Sequence, residues 1–415
     1  MNISIYTLGC KVNQYESDSL ATVLKKRGHK IVADYSLADA FIINTCAVTS
    51  EAEKKSRQTI TKLSKYSPNA KIIVCGCASQ NNPNQFIERD NVTVVMGTAN
   101  RNNIANLIDS VSYKLNTLPI DYENISNPMP TRTRTYIKIQ DGCNSYCTYC
   151  IIPHLRGCSR SRDIKSIFDE CSNLPKNVKE IVLTGINISD YGSNINTNLI
   201  ELVKALSNLK IRIRLGSLEQ NIITEEFLDA LKTLPYFCEH FHLSMQSGSD
   251  TILKKMNRKY TSITYLEKVE LIRKHFPNAT IATDVIVGFP TETDQEFEET
   301  LEVVSKAKFT TIHIFPYSLR TGTPAEKFKQ VSFAIKSQRE ARLKVIAKDL
   351  EREFLQQNIG KTESVLIETV ENGEAKGYTK NYIMTYILGN NLKEDTVVNV
   401  RLNDFYKNGL KAELI

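Results

Sequence analysis

Tryptophan is missing from all 415 residues, and no apolar run approaches the length of a membrane-spanning helix. The opening stretch Met1-Asn-Ile-Ser-Ile-Tyr-Thr-Leu-Gly-Cys10 has no basic region, long apolar core or cleavage site. That argues against export and for a cytoplasmic chain without a membrane partner. Cysteines are few, ten in all, too sparse for a disulfide scaffold in a chain this long. They cluster in the manner of metal ligands, which favours a reducing compartment. The remaining composition, 41% hydrophobic and 24% charged, is that of an ordinary soluble protein. The length suits about three domains of ~150 residues.

What is present is concentrated in Asp141-Gly-Cys-Asn-Ser-Tyr-Cys-Thr-Tyr-Cys150. Cys143, Cys147 and Cys150, spaced C-x3-C-x2-C, offer three thiolates from one loop. Four thiolates close a metal site, whereas three leave a coordination position open, and an open position is where chemistry happens. Held this way, a 4Fe–4S cluster exposes one iron to a small ligand such as the amino-acid end of S-adenosylmethionine. Such spacing is the signature of the radical S-adenosylmethionine enzymes, which the chain resembles here. A structural zinc site is the competing reading, with His154 as a fourth ligand, although no second C-x2-C pair exists. The net charge of +7 is unevenly spread: Arg132, Arg134, Lys138, Arg156, Arg160, Arg162 and Lys165 flank the loop against Asp141 and Asp163. That surplus is either a solvated face or an attraction for a polyanion such as RNA.

Three blocks follow from the apolar patterning. Over residues 1–120, apolar runs (Ile3–Leu8, Ala40–Asn44, Lys71–Val74, Val92–Gly97) alternate with helical stretches, which predicts an open parallel α/β sheet. Cys10, Cys46 and Cys77 each fall where a predicted strand ends, on the edge where such sheets bind ligands. Three thiolates distant in sequence can therefore meet and hold a second 4Fe–4S cluster, while Cys75 points to the opposite face. A second block, 129–357 with a linker helix from Ala334 to about Gln357, carries six strand candidates: 136–140, 181–183, 211–215, 240–245, 280–287 and 311–315. Six units are too few for a closed eight-stranded barrel, so a partial (β/α)6 barrel is expected. The third block, 358–415, reads as strands 363–370, 376–388, 396–402 and 410–415 in a small all-β barrel, an architecture that often binds RNA.

Taken together, the chain resembles the methylthiotransferases, and within them the branch acting on tRNA N(6)-threonylcarbamoyladenosine. The carrying motifs are Leu8-Gly-Cys-Lys-Val-Asn-Gln-Tyr-Glu-Ser17, Asn44-Thr-Cys46, Gly76-Cys77, the C-x3-C-x2-C loop, Thr184-Gly-Ile-Asn187, Gln246-Ser-Gly-Ser249 and Asp284-Val-Ile-Val-Gly-Phe-Pro290. The resemblance implies a methylthiotransferase domain, a radical domain and a carboxy-terminal TRAM barrel. It implies that Cys143, Cys147 and Cys150 hold the radical cluster and Cys10, Cys46 and Cys77 the auxiliary one, all six being catalytic. It further implies that Tyr149, Thr184, Gly185, Asn187, Gln246, Ser247 and Val287 line S-adenosylmethionine. Three positions depart from the family pattern: Cys158 in the Arg156–Arg160 run, Gln220, and Thr291 where glycine is usual.

The expected reaction inserts a methylthio group at carbon 2 of the adenine next to the anticodon, in the anticodon loop of tRNA. That carbon has no acidic proton, so acid–base catalysis cannot open it and a radical cofactor is needed. A base in a single-stranded loop is splayed out at small cost. An electron donor of flavodoxin or ferredoxin type and a sulfur donor are required, and the sequence names neither. The same chemistry on a ribosomal-protein aspartate or on isopentenyladenosine tRNA, a radical enzyme whose second cluster only relays electrons, and a non-catalytic RNA-binding zinc protein are the alternatives.

Overall fold

Strands separated by a helix pair side by side and parallel, because the chain must cross over before returning to the sheet. The first block consists of β1 (Asn2–Thr7), α1 (Lys11–Lys26), β2 (Lys30–Ile31), β3 (Ala40–Thr45), α2 (Ser50–Tyr66), β4 (Lys71–Gly76), α3 (Cys77–Asn81), β5 (Val92–Met96) and β6 (Ser112–Lys114). These strands form one parallel sheet in the order β2-β1-β3-β4-β5-β6. The computed structural model describes every residue except 90, 115–117, 131 and 390. Alternation along each strand feeds two cores. Phe41, Ile43, Ile72 and Val74 pack with Ile60 and Leu63 of α2, and Ile42, Ile73 and Cys75 pack with Leu20 and Leu24 of α1. Cys75 and Cys77, two residues apart, face opposite ways because the strand ends at Gly76, whose φ of +104° turns the chain before Cys77 opens α3; an unbroken pleat would put both on one face.

In the second block β7 (Arg134–Lys138), α4 (Ile164–Ser172), β8 (Glu180–Thr184), α5 (Leu199–Ala205), β9 (Arg212–Leu215), α6 (Glu225–Lys232), β10 (His240–Leu243), α7 (Ser262–His275), β11 (Thr280–Val287), α8 (Asp294–Ala307) and β12 (Thr311–Pro316) alternate. All neighbouring strands are parallel, in the order β7 to β12, and β9 continues through Gly216 into Ser217–Leu218, which pairs with β10. Among the described residues β7 and β12 do not pair, so the barrel is open, as its six units require. Ile137, Ile181, Leu183, Ile213 and Leu215 face the helices in one large core. Reciprocal capping boxes, Thr261 with Thr264 and Thr293 with Glu296, start α7 and α8. Helix α1 of the first block packs along β7, where the Tyr15 hydroxyl donates to Glu170 Oε2 at 3.0 Å.

Helix α9 (Phe333–Asn358) leads to a closed barrel of β13 (Thr362–Glu371), β14 (Glu374–Thr379), β15 (Met384–Leu388), β16 (Thr396–Tyr406) and β17 (Gly409–Leu414). The single strand expected over 376–388 is two strands, because the chain turns at Asn381 and Tyr382, the latter at a φ of 68°. This small barrel docks at the starting ends of β7–β9. Arg212 donates to Ser364 O at 2.8 Å, Ser364 Oγ at 3.0 Å and Tyr378 O at 3.1 Å, and Arg134 pairs with Glu368. The Arg214 guanidinium lies 3.7 Å from the Tyr382 ring centroid. Arg212→Ala is expected to loosen this docking and to speed protease cleavage at residues 358–362 several-fold, with iron content unchanged; limited proteolysis followed by mass spectrometry reads it.

Candidate active site

The first triad is assembled by the ends of three adjacent strands. Cys10 precedes α1 after β1, Cys46 follows β3, and Cys77 opens α3 after β4. Neighbouring strands lie about 4.8 Å apart, so parallel pairing of β1, β3 and β4 brings the three cysteines together. Two glycines make the approach possible. Gly9 has a φ of +94°, and a Cβ there would stand 2.6 Å from Cys46 Sγ; Gly76, at +104°, would strike Thr45 O at 2.6 Å. Asn13 pins the loops, its amide donating to Leu8 O at 2.8 Å and Thr45 O at 3.0 Å. Burial pushes the Cys46 thiol up to about 11, with the neighbouring Cys77 and Cys10 adding to it. A free thiol there is protonated at neutral pH; binding a metal is what releases the proton.

The second triad lies in the loop after β7. Gly142 (φ +71°) and Tyr146 (φ 46°) bend the loop so that Cys143 N reaches Gly157 O at 3.1 Å and Cys150 N reaches Cys147 O at 3.0 Å. The far side of the barrel holds it as well: Thr148 N donates to Met256 O at 3.1 Å, and Ala325 N donates to Thr148 O at 2.9 Å. Arg258, paired with Glu219, aims Nη1 at Cys147 Sγ, 3.5 Å away. Burial raises the Cys150 thiol to about 12, and Cys147 and Cys143 raise it further. Arg258 escaped the sequence reading, because nothing local marks it.

The donor sets fit a body larger than one ion. Thiolates on a single zinc at ~2.3 Å stand about 3.8 Å apart. Among the described residues no three ligand atoms that include a cysteine lie within 4.8 Å of one another. His154, the candidate to close a zinc site, is exposed on the short helix Ile152–Arg156. Two wide thiol triads, each without a fourth protein ligand at that spacing, suit two 4Fe–4S clusters.

The two triads are joined by a buried ion network. Glu16 Oε1 meets Lys138 Nζ and Arg156 Nη1, each at 3.0 Å, and Glu16 Oε2 meets Arg101 Nη2 at 3.1 Å. Asp141 takes Arg156 at 2.8 Å and Lys138 at 3.1 Å, and Arg156 Nη2 donates to Asn13 Oδ1 at 2.7 Å. Burial opposes ionisation of Glu16, but Arg101, Arg156 and Lys138 outweigh it and hold its carboxyl at about 2. Here the sequence reading of the basic run is corrected. Lys138, Arg156, Arg160 and Arg162 are buried and Arg134 is paired with Glu180 and Glu368, so only Arg132 and Lys165 of the seven stay outside. A charged run reads as surface until its partners are known, and two of them, Glu16 and Glu368, lie over a hundred residues away.

The residues expected around S-adenosylmethionine divide. Tyr149 is half-buried, its ring edge-on to Phe289 with centroids 6.4 Å apart. Thr184 and Gly185 end β8. Gln140, which the sequence did not flag, orders the turn after them: its Oε1 accepts from Ile186 N at 3.0 Å and Asn187 N at 2.8 Å, while its Nε2 donates to Gly142 O at 2.7 Å. One side chain therefore ties the β8 turn to the cysteine loop. Among the described residues Asn187 Oδ1 is buried without a partner, beside a cleft of about 300 Å³ that Cys147, Glu219 and Arg258 also line. An orphaned acceptor at a cleft wall suits a ligand that carries an N–H or ammonium donor. Gln246, at φ 66°, bridges to β11 by accepting from Ile286 N at 2.9 Å. Ser247 and Val287 have no exposed surface; the Ser247 hydroxyl meets Thr300 Oγ1 at 3.3 Å, and Val287 packs in the central core. They shape the site from behind. Thr291 sits at φ +69°, where a β-branched residue is strained and glycine is not. Thr291→Gly is expected to add about 1 kcal/mol of stability, read by chemical denaturation.

Comparison with known proteins agrees with this geometry. Residues 137–304 match the Radical SAM superfamily and residues 2–97 match the uncharacterized protein family UPF0004. The threonylcarbamoyladenosine tRNA methylthiotransferase MtaB of Thermotoga maritima is 38% identical over 410 residues, 96% of this chain and 94% of that one. The protein of the same name from Bacillus subtilis is 37% identical, covering 96% and 93%. A tRNA-2-methylthio-N(6)-dimethylallyladenosine synthase of Endomicrobium trichonymphae is 33% identical over the whole of both chains. Among solved structures, the radical S-adenosylmethionine methyltransferase TsrM of Kitasatospora setae shares the fold, with a TM-score of 0.58 at 15% identity over 78% of this chain and 75% of that one. With its cysteine triads at two sheet edges and its six-stranded open barrel, the chain belongs to the radical S-adenosylmethionine methylthiotransferase family, in the branch of the threonylcarbamoyladenosine tRNA methylthiotransferases.

Proposed function

We infer that this protein is a tRNA methylthiotransferase that places a methylthio group on carbon 2 of N(6)-threonylcarbamoyladenosine at position 37, next to the anticodon. The observation that carries the reading is the pair of open thiol triads bound to one barrel through the Glu16–Arg156 network. Bound there, two 4Fe–4S clusters and S-adenosylmethionine supply a 5′-deoxyadenosyl radical, a methyl group and the means of sulfur transfer. The protein's own part is positioning. Gln140 couples the turn Gly185–Asn187 to the cysteine loop, so a ligand seated on that turn is held in register with Cys143, Cys147 and Cys150. Arg258 directs a cation at Cys147 and draws negative charge from its sulfur. Asn13 and Arg156 hold Cys10 beside the radical loop, so both triads address one substrate atom.

Three units divide the labour in this reading: residues 1–120 carry the auxiliary site, 129–357 the radical site, and 358–415 a TRAM barrel that grips RNA. A flavodoxin- or ferredoxin-like donor supplies electrons, a separate donor supplies sulfur, and the protein works in the cytoplasm. Among the described residues no helix is long and apolar enough to cross a membrane. Nucleoside mass spectrometry of tRNA from cells lacking the protein tests the reading. Loss of the 2-methylthio derivative of threonylcarbamoyladenosine is expected, with the isopentenyl derivative unchanged; an undisturbed threonylcarbamoyl derivative overturns it.

A further inference from the structure

Two connections that lead into strands of the partial barrel are basic without relief. Residues 173–179, between α4 and β8, hold Lys176 and Lys179, and residues 206–211, between α5 and β9, hold Lys210; neither stretch contains an acid. Loops at the starting ends of parallel strands ordinarily serve stability, since the chemistry sits at the other end. Here they wall a cleft of about 700 Å³ where the small barrel docks, and Arg212 and Lys380, the latter in the turn between β14 and β15, complete it. Among the described residues these five cations line the cleft and no Asp or Glu does.

These charges are not cancelled within the protein. Among the described residues the four lysines make no ion pair, and Lys179 gives its ammonium to Lys176 O at 2.5 Å. Arg212 donates to oxygens of Ser364 and Tyr378, carbonyls and a hydroxyl that carry no charge. Glu363 lies near Lys380 and Arg212 but outside the lining, and burial raises its carboxyl. Lys176 and Lys210 are exposed, and Tyr236, 47% exposed, lines the cleft with them. A groove of cations beside an aromatic ring suits a nucleic-acid strand, whose phosphates meet the first and whose bases or sugars meet the second. The small barrel by itself does not offer this, because residues 360–415 carry seven Lys or Arg against eight Asp or Glu.

We propose that this cleft seats the phosphate backbone of tRNA, with Lys176, Lys179, Lys210 and Lys380 holding the stem that adjoins the loop bearing the target base. The assignment rests on the substrate reading above and moves the grip on RNA from the small barrel alone to its seam with the radical unit. The span fits a short stem. Lys179 stands before β8 and the turn Gly185–Asn187 after it, and at ~3.3 Å per residue the strand sets them roughly 20 Å apart. A nucleic-acid duplex advances about 3.4 Å per base pair, so about six pairs cover the same length. An acidic redox protein suits the place less well, because its electron would have to cross the barrel to reach Cys143, Cys147 and Cys150 beyond the other end of β7.

Anaerobically prepared holoenzyme is titrated by fluorescence anisotropy over a range of salt. The probes are labelled full-length tRNA and a single-stranded oligonucleotide of its anticodon loop, both carrying threonylcarbamoyladenosine. Lys176→Gln with Lys210→Gln in one chain is expected to weaken tRNA binding about tenfold and to lower the slope of log affinity against log salt by about 2. Affinity for the bare loop and iron content are expected to stay as in the wild type. Lys176→Arg with Lys210→Arg, which keeps the charge, should bind tRNA as the wild type does. Lys62→Gln with Lys65→Gln removes the same charge from exposed positions of α2 and should change neither affinity nor slope. A Lys176→Gln, Lys210→Gln chain with wild-type affinity and slope overturns the cleft and leaves the substrate reading standing. Equal losses on tRNA and bare loop, or equal losses in the α2 control, overturn it too. Normal tRNA binding with slower reduction by flavodoxin would assign the cleft to an acidic protein instead and overturn the proposal. A wild type that binds neither RNA overturns the substrate reading, and the cleft with it.

Discussion

Alanine in place of Cys143 is expected to remove about half of the roughly eight irons and all formation of 5′-deoxyadenosine, and with it all methylthiolation. Alanine in place of Cys10 removes the other half and all methylthiolation but leaves 5′-deoxyadenosine forming. The asymmetry follows from where each triad sits. Cys143 belongs to the loop that Gln140 ties to the β8 turn, with its cleft and the orphaned Asn187 acceptor. Cys10 belongs to the neighbouring sheet, held by Asn13 and Arg156. Iron analysis and product chromatography on anaerobic protein separate the cases. Equal loss of 5′-deoxyadenosine in both variants would mean that the sites do not act separately.

Glu16→Gln is the second large effect expected. The carboxylate is fully buried and meets Arg101, Lys138 and Arg156 at 3.0 to 3.1 Å. Removing it leaves Lys138 and Arg156 to Asp141 and takes from Arg101 the carboxylate it pairs with, and stranding buried charge in this way costs ~3–5 kcal/mol. The first urea transition should move to markedly lower denaturant, and both clusters should become labile because Arg156 spans the two units. Removing Arg156 in the same chain should add much less than its separate cost, since the pair is one interaction. A midpoint within error of wild type would rule out the network as the joint. Acid should act through the same groups. Glu16, at about 2 in the folded protein, contributes stability that is whole above its unfolded value near ~4.3 and is lost as pH falls toward 2. Asp141, also held low against its burial by Arg156 and Lys138, loses its share in the same direction. Far-ultraviolet circular dichroism against pH reads both.

The parts of the site that were legible in the sequence are those set by local rules. Cys10, Cys46 and Cys77 were recognisable because each closes an apolar run, and parallel pairing brings successive strand ends to one edge. The C-x3-C-x2-C loop carries its geometry within eight residues. Legibility ended where a residue's partner lies far along the chain. Glu16 finds Lys138 122 residues on and Arg156 140 residues on, and Arg258 finds Cys147 111 residues back. Gln140 looks like any strand residue until the β8 turn folds over it. Ser247 and Val287 lie in motifs that mark the cofactor region, yet burial turns their side chains inward.

By itself, then, the amino-acid order determined the alternation of strand and helix and set Cys10, Cys46 and Cys77 at strand ends and Cys143, Cys147 and Cys150 in one short loop, because periodicity and spacing act over a few residues and need no knowledge of neighbours. Only the tertiary structure decided where the charges go. It buried four of the seven basic residues beside the cysteine loop and paired Arg156 with Glu16 of the other unit. The physical reason is that a charge takes its energy from whatever surrounds it in space, and those surroundings exist only once sheet, barrel and linker have packed.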